Sequence, residues 1–400
     1  MIRTLTAVLA TLALPYPAIA QDAPSPNQPS PNQIVAEALA DEWVAIPAED
    51  MLVMALAPDR DGEPREVVIQ LMPEPFSQGW VANIRTLARA GWYDGISINR
   101  VQDNYVVQWG DPNYDNPEAE GAAKPLPEGL NEVPESEYQV DVDTLSEAGK
   151  TNLSEVSAEE AALDVENLLN SLLSAGAPSE SEKIAMISIR STQAPGAPEG
   201  WHQRDSYAEW VEFWRGWPIA NTEVGQWFDV AGQEVTAPGV PRHVAYGEGY
   251  THETEESWFW PVHCYGMVGV GRGMSPNTGS GAELYTVIGH APRHLDRNIA
   301  LVGRIVSGME HLSSLPRGSG ALGFYTSEEA DERTPILSIR VASDLPASEQ
   351  PEFEYLSTEG ETFARYAEAR ANRHDPFFIV PAGGADICNL PVPVRATPAE

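Results

Sequence analysis

Cysteine is almost absent from this chain. Two occur in 400 residues, Cys264 and Cys388, too few for a disulfide-dense scaffold or a four-thiolate zinc site. Positive charge is also short. Twenty-four basic residues, only three of them lysine, face 59 acidic ones, for a formal charge of −35. Phosphate binding needs a basic face, so the balance argues against nucleic acid as a partner and against docking on an anionic membrane. No segment approaches the roughly 18 consecutive apolar residues that a membrane span requires. Motifs for hydrolysis, phosphate and metal chemistry are missing as well. There is no GxSxG and no HExxH. His290 and His294 are four apart, but Pro292 between them prevents a shared helical face. Gly269-Val270-Gly271-Arg272-Gly273 is glycine-rich, yet it lacks the strand–loop–helix context and the lysine of a phosphate loop. No metal and no cofactor are expected.

What is present begins with a leader. Arg3 is a basic start, Leu5–Leu14 a short apolar run, and Ala18-Ile19-Ala20 an A-x-A cleavage pattern before Gln21. Residues 1–20 therefore read as a signal peptide, and the mature chain as exported without stable membrane insertion. Export gives the two cysteines a choice: a Cys264–Cys388 bridge, or two buried thiols. The preference for arginine over lysine hints at GC-rich bacterial coding, and with it at the periplasm, with secretion beyond it left open.

Residues 21–49 form a linker and a short helix. The linker carries Pro24-Ser25-Pro26-Asn27-Gln28 in tandem and has little to bury; the helix is expected over 34–44. Met51–Leu56 and Val67–Met72 read as strands around the turn Asp59-Arg60-Asp61-Gly62. Ser77 is placed to cap a helix over Trp80–Ala90 that Gly91 stops. After Asp111 the chain is rich in proline, glycine and acid to about residue 150. A capping box at Ser157 and Glu160 opens a second helix through Ala175. Residues 201–260 hold seven of the eleven tryptophans, and Trp210 and Trp214 would share a helical face with Tyr207. These rings are either a small aromatic core or a wall that grips unfolded chains. Beyond 346, Thr362–Arg373 reads as a helix and Phe377-Phe378-Ile379-Val380 as a buried strand or clamp.

Tyr93–Asp111 (YDGISINRVQDNYVVQWGD) reads as a hairpin. Ile96, Ile98, Tyr105 and Val107 supply the apolar alternation, and Gln102-Asp103-Asn104 the turn. Arg100 and Gln108 fall within its strands. On pattern alone they are ordinary polar residues on the open face of an antiparallel pair; side by side across a tight hairpin, they could also share one cleft beside Tyr105. This stretch resembles the cyclophilin family of peptidyl-prolyl cis-trans isomerases through Ile98-Asn99-Arg100-Val101, Asn104-Tyr105-Val106 and Gln108-Trp109-Gly110-Asp111. Gly266–Tyr285 (GMVGVGRGMSPNTGSGAELY) and Leu295–Met309 (LDRNIALVGRIVSGM) resemble two further segments of the family, in the same order.

The resemblance covers residues 50–118 and 263–345. It implies a mainly β fold: a closed antiparallel eight-stranded barrel capped by two helices. A mixed α/loop, Trp-rich insertion (119–262) would interrupt it, and an extension (346–400) would come after it. It implies Arg100, Tyr105 and Gln108 as the catalytic group. Val106, Gly271, Arg272, Glu283, Tyr285, His294, Leu295 and Ile299 would contact substrate, several of them departing from the family's usual residues. The implied reaction is X-Pro isomerisation, the implied partners are proline-containing unfolded or partly folded polypeptides, and the clients are folding envelope or secreted proteins. The alternative is a non-catalytic scaffold that holds clients through its insertion.

Overall fold

The computed structural model describes residues 29–114, 116–147, 205–208, 210–228, 234–235, 251–373, 377–380 and 382–398. Helix α1 (Pro31–Ala36) and strand β1 (Trp43–Ala45) lead into the hairpin β2 (Met51–Leu56) and β3 (Arg65–Leu71). Helix α2 (Gln78–Arg89) and the hairpin β4 (Ser97–Val101) and β5 (Val106–Gly110) come next. The insertion contributes β6 (Val140–Asp141), α3 (Val142–Glu147), β7 (Trp210–Trp214), β8 (Trp217–Phe228), β9 (Glu234–Val235) and β10 (Thr251–Pro261). Then come β11 (Met267–Val270), β12 (Leu284–Val287), β13 (Leu301–Ser307), the single turn α4 (Glu310–Ser313) and β14 (Ile336–Val341). The remaining elements are β15 (Phe353–Leu356), α5 (Glu361–Ala371) and β16 (Val394–Ala396).

The eight strands of the main sheet run in the order β14-β2-β3-β13-β11-β12-β5-β4, and every pairing is antiparallel. The sheet then curls back on itself. Ile336 N donates to Ile96 O at 2.8 Å and Ile98 N to Thr334 O at 2.9 Å, and Ser97 bridges Pro335. This contact joins the two outer strands into the expected barrel and removes their free edges. Leu52, Met54, Val67, Ile69, Val107 and Leu284 fill the interior. The run MLVMAL is apolar on both faces because both are covered. Leu52, Met54 and Leu56 point into the barrel, while Met51 and Val53 pack outward with Ile46, Val68 and Tyr355.

Helix α2 buries Trp80, Val81, Ile84, Leu87 and Ala88, a stripe that covers one side of the barrel. Its start differs from expectation. Ser77 sits at the cap but is left-handed (φ 57°) and makes no side-chain cap bond. Instead Glu137 of the insertion accepts from Gly79 N at 3.2 Å, which places a carboxylate at the positive helix end. Gly91 (φ 62°) ends the helix as expected. The second capping helix is reduced to the one turn of α4.

Three further expectations need correction. First, the described part of the insertion adds a sheet to the expected helix and loop: β6-β10-β8-β7 pair in that order, with β9 on β8. Trp210–Trp214 is therefore a strand. Its spacing of four fits a helix, but residues 210, 212 and 214 also fit period two, and Arg215-Gly216 (φ 46° and 80°) closes a tight hairpin onto Trp217. Trp214, Trp217 and Trp260 are fully buried, so these three belong to an aromatic core. Second, the short helix starts three residues early, at Pro31. Ser30 and Gln33 form its capping box, so the second repeat enters the helix. Third, Phe377, Ile379 and Val380 are exposed, at 84%, 92% and 67%, and form no strand. The expected helix over 157–175, Trp201 and the leader lie outside the described residues.

The N-terminal segment and the extension form one layer. β15 pairs with both β1 and β16, and Cys264 and Cys388 are bridged. The bridge ties the extension to the segment that enters β11. Among the described residues no helix is long and apolar enough to cross a membrane.

Candidate active site

A backbone irregularity aims Arg100. In the β4–β5 ladder Ile98 pairs with Trp109 and Arg100 with Gln108, so Asn99 is an extra residue on β4. Such a bulge reverses the facing of the residues beyond it. Ile98 and Val101 point into the core, and Arg100 faces outward, half-buried. Asn99 stabilises the bulge from within: its Nδ2 donates to Gly110 O at 3.0 Å and its Oδ1 accepts from Ser97 Oγ at 2.6 Å.

The guanidinium is held on three sides. Nε donates to Leu322 O at 2.7 Å, Nη1 to Gln108 Oε1 at 3.1 Å, and Nη2 to Gln102 Oε1. The rings of Tyr105 and Phe324 lie 5.6 and 5.4 Å from its centre. An arginine carries five N–H donors, so one remains on each Nη for a ligand. Among the described residues no carboxylate pairs with it. Burial lowers its pKa, but an arginine stays charged at any physiological pH.

Arg100 opens onto a cavity of about 550 Å³. Tyr105, Val106, Gln108, Gly271, Arg272, Glu283, Tyr285, Leu295 and Ile299 line it with Arg100, so ten of the eleven expected site residues meet there. One side is apolar: Val106, Tyr285 and Val287 are buried together, with Tyr105 and Ile299 against them. Gly271 keeps the opposite side open, since a Cβ there would lie 2.8 Å from that of Glu283. Glu283 is buried, and its Oε1 accepts from Asp111 N at 2.8 Å. Its carboxylate occupies the space beside Gly110, where a Cβ would be 2.0 Å away, which fixes glycine at that position. Arg272 stands at the rim, bonded to Asn298 O and Gly273 O.

His294 is the exception. It is exposed and off the cavity, because the 3₁₀ turn Arg293–Leu295 rotates it to solvent and turns Arg293 inward. Sequence reasoning also missed residues that line the cavity. Tyr114, Asn116 and Pro117 come just after β5, and Leu322 and Phe324 precede β14. The latter pair lies in the glycine-rich segment 316–325, which has no periodicity to signal it. Behind Tyr285, unanticipated, stands His263, with Nε2 2.9 Å from the phenol oxygen. Burial pushes the Tyr285 phenol pKa well up, so it keeps its proton. Among the described residues no cluster could hold a metal.

The family model for the cyclophilin type peptidyl-prolyl cis-trans isomerase/CLD matches residues 63–159. Comparison with curated protein sequences gives no match. Among solved structures, the cyclophilin AquaCyp293 from Hirschia baltica aligns over 93% of this chain and 100% of its own, with a TM-score of 0.51 and 19% identity. That likeness supports the fold. A cyclophilin type isomerase from Cryptosporidium parvum, crystallised with the dipeptide Ala-Pro, covers 72% of this chain and 97% of its own at 8% identity. Its TM-score of 0.29 adds nothing to the assignment. The barrel of eight antiparallel strands and the family match agree: residues 63–159 match the cyclophilin type peptidyl-prolyl cis-trans isomerase family, within a chain of cyclophilin-like fold.

Proposed function

We propose that this protein is an exported isomerase that accelerates X-Pro rotation in folding envelope or secreted proteins, with Arg100 as its electrostatic catalyst. The reaction needs no nucleophile and no cofactor. The barrier of about 18–20 kcal/mol comes from amide resonance, and an enzyme lowers it by binding the twisted amide more tightly than the planar one. As the amide twists, the prolyl nitrogen regains its lone pair and becomes an acceptor. The observation that carries the proposal is Arg100 itself: a guanidinium fixed by three acceptors, with one N–H on each Nη left over the cavity. Its fixed position costs no reorganisation when the charge appears. The apolar wall of Val106, Tyr285, Leu295 and Ile299 suits a proline ring. Gln108 orients the arginine through Oε1, and its amide N–H₂ can meet the substrate backbone. Export rests on the leader pattern, and a bridge between Cys264 and Cys388 accords with an oxidising compartment.

The test is exchange NMR on a short X-Pro peptide with the chain from Gln21 onward and its Arg100→Ala variant. Acceleration by the wild type that falls at least about tenfold in a folded variant, ~1.4 kcal/mol of transition-state stabilisation, supports the proposal. Equal turnover in the variant removes Arg100 from the mechanism. A folded wild type without activity shifts the function to client holding by the insertion.

A further inference from the structure

A buried polar chain runs from the insertion to the floor of the cleft. Asp205 accepts from Arg293, with Nη2 to Oδ1 at 3.1 Å. Arg293 Nε donates to Asp296 Oδ2 at 2.6 Å. Asp296 Oδ1 faces His263 Nδ1 at 2.8 Å and also accepts from His263 N at 3.0 Å. His263 Nε2 meets the Tyr285 hydroxyl at 2.9 Å. Every member is enclosed: His263 is 0% exposed, Arg293 3%, Tyr285 5% and Asp296 7%, and the Asp205 side chain is 3% exposed.

The chain has a defined polarity. A carboxylate can only accept, so Asp296 fixes the proton on His263 Nδ1. With the imidazole neutral, Nε2 is the acceptor, and Tyr285, a protonated phenol, donates to it. The ring of Tyr285 faces the cleft while its hydroxyl is pinned behind it. Ordinary packing would not call for a phenol here, since phenylalanine fills such a floor without a buried hydroxyl to satisfy. The far end of the chain is on the insertion, beside Tyr207, whose ring lies 5.3 Å from the Arg293 guanidinium. Arg293 and Asp296 also belong to the turn that supplies Leu295 and Ile299 to the cavity.

We infer that the insertion sets the binding floor of the proline cleft through this chain, with Asp205, Arg293, Asp296 and His263 as positioning residues for Tyr285. This deepens the proposed isomerase reading and rests on it for the identity of the ligand. Removal of Asp205 leaves Arg293 with Asp296 alone, which loosens the carboxylate that orients His263 and hence the ring the substrate touches.

The experiment is a double-mutant cycle on Asp205→Asn and Tyr285→Phe. It is read as the Kd of an Ala-Pro tetrapeptide by NMR titration, alongside exchange rates. Each single change should raise Kd about threefold or more, the double change should add nothing to the larger single effect, and Asp205→Glu should restore binding. Independent effects that multiply, or an unchanged Kd in folded Asp205→Asn, overturn the inference. Arg395→Ala, which breaks a remote ion pair with Glu354, controls for stability and should leave Kd alone. A second readout needs no mutant: peptide binding to the wild type should shift the His263 ring ¹⁵N resonances, and unmoved resonances at saturation also overturn it. Binding without isomerisation would refute the catalytic reading alone. A wild type that does not bind the peptide would refute both.

Discussion

The barrel presents two faces that each hold an arginine between two aromatic rings, and they use it differently. On the cleft face Arg100 lies between Tyr105 and Phe324, bonded to three acceptors, with N–H groups to spare over an open cavity. On the face that receives the insertion Arg304 of β13 lies between Trp217 and Tyr355, at 4.5 and 5.7 Å. It donates to Gln70 Oε1 at 2.8 Å and to Gly216 O at 2.7 Å, and its Nη2 has no hydrogen-bond partner among the described residues. Burial without a carboxylate pushes its pKa down to about 10. What separates the two is access. An orphan donor in a closed site is a cost to the fold; an unused donor over a cavity is available for a ligand. Arg304 docks the Trp214–Trp217 hairpin on the barrel, and Arg100 is left to act on something else.

The largest effect expected is at the closed face. Arg304→Ala should lower unfolding free energy by about 2–4 kcal/mol, since it empties the slot between Trp217 and Tyr355 and orphans Gln70 and Gly216 O. Arg304→Met, which keeps the length without the charge, should recover all but about 1 kcal/mol of that, because an unpaired buried charge is expensive to keep. Urea unfolding of both measures this, and an Ala variant as stable as wild type would mean that the hairpin docks without Arg304. Catalysis per folded molecule should be unchanged in either. At the open face the same pair of substitutions should give the reverse result. Arg100→Met and Arg100→Ala should both lose at least about tenfold in kcat/KM, with stability within about 1 kcal/mol of wild type. A Met variant that keeps turnover would show that shape, not charge, matters in the cleft.

The sequence read these two faces unequally, for physical reasons. β2 and β3 were legible as apolar runs around a turn, and β4 and β5 from their period-two alternation, as was the pairing of Arg100 with Gln108. Even the bulge left a trace: the core residues Ile96, Ile98 and Val101 are spaced by two and then by three. The fate of the tryptophans was not legible. Trp210 and Trp214 satisfy both periods, and only the partner strand Trp217–Phe228 decides between them. The run Phe377–Val380 has strand propensity but no strand beside it, and propensity without a pairing partner builds nothing. His263 and Asp296 are 33 positions apart, and no local pattern could have joined them to Tyr285. Leu322 and Phe324 reach the cleft by a loop, whose path is set by the groups it packs on, here Arg100 itself.

The smallest effect expected lies on the strand that docks the hairpin, and it has a sign in pH. Glu212 of β7 carries a carboxyl whose pKa burial raises from 4.5 to about 7. In the unfolded chain it ionises near 4.5. Below that pH both states are protonated and the residue is neutral to stability. Between about 4.5 and 7 the unfolded state releases its proton first, so Glu212 increasingly favours unfolding, and above about 7 the penalty is constant. One pKa unit is about 1.4 kcal/mol, and partial exposure of the residue makes roughly 2–3 kcal/mol an upper bound. Glu212→Gln keeps the shape of the protonated acid and removes the titration. Its Tm should match that of wild type at pH 4 and exceed it by a few degrees at pH 8. A Tm difference independent of pH would mean that the carboxylate finds solvent in the folded state, and that the docked face of the barrel is more open than the Arg304 slot beside it implies.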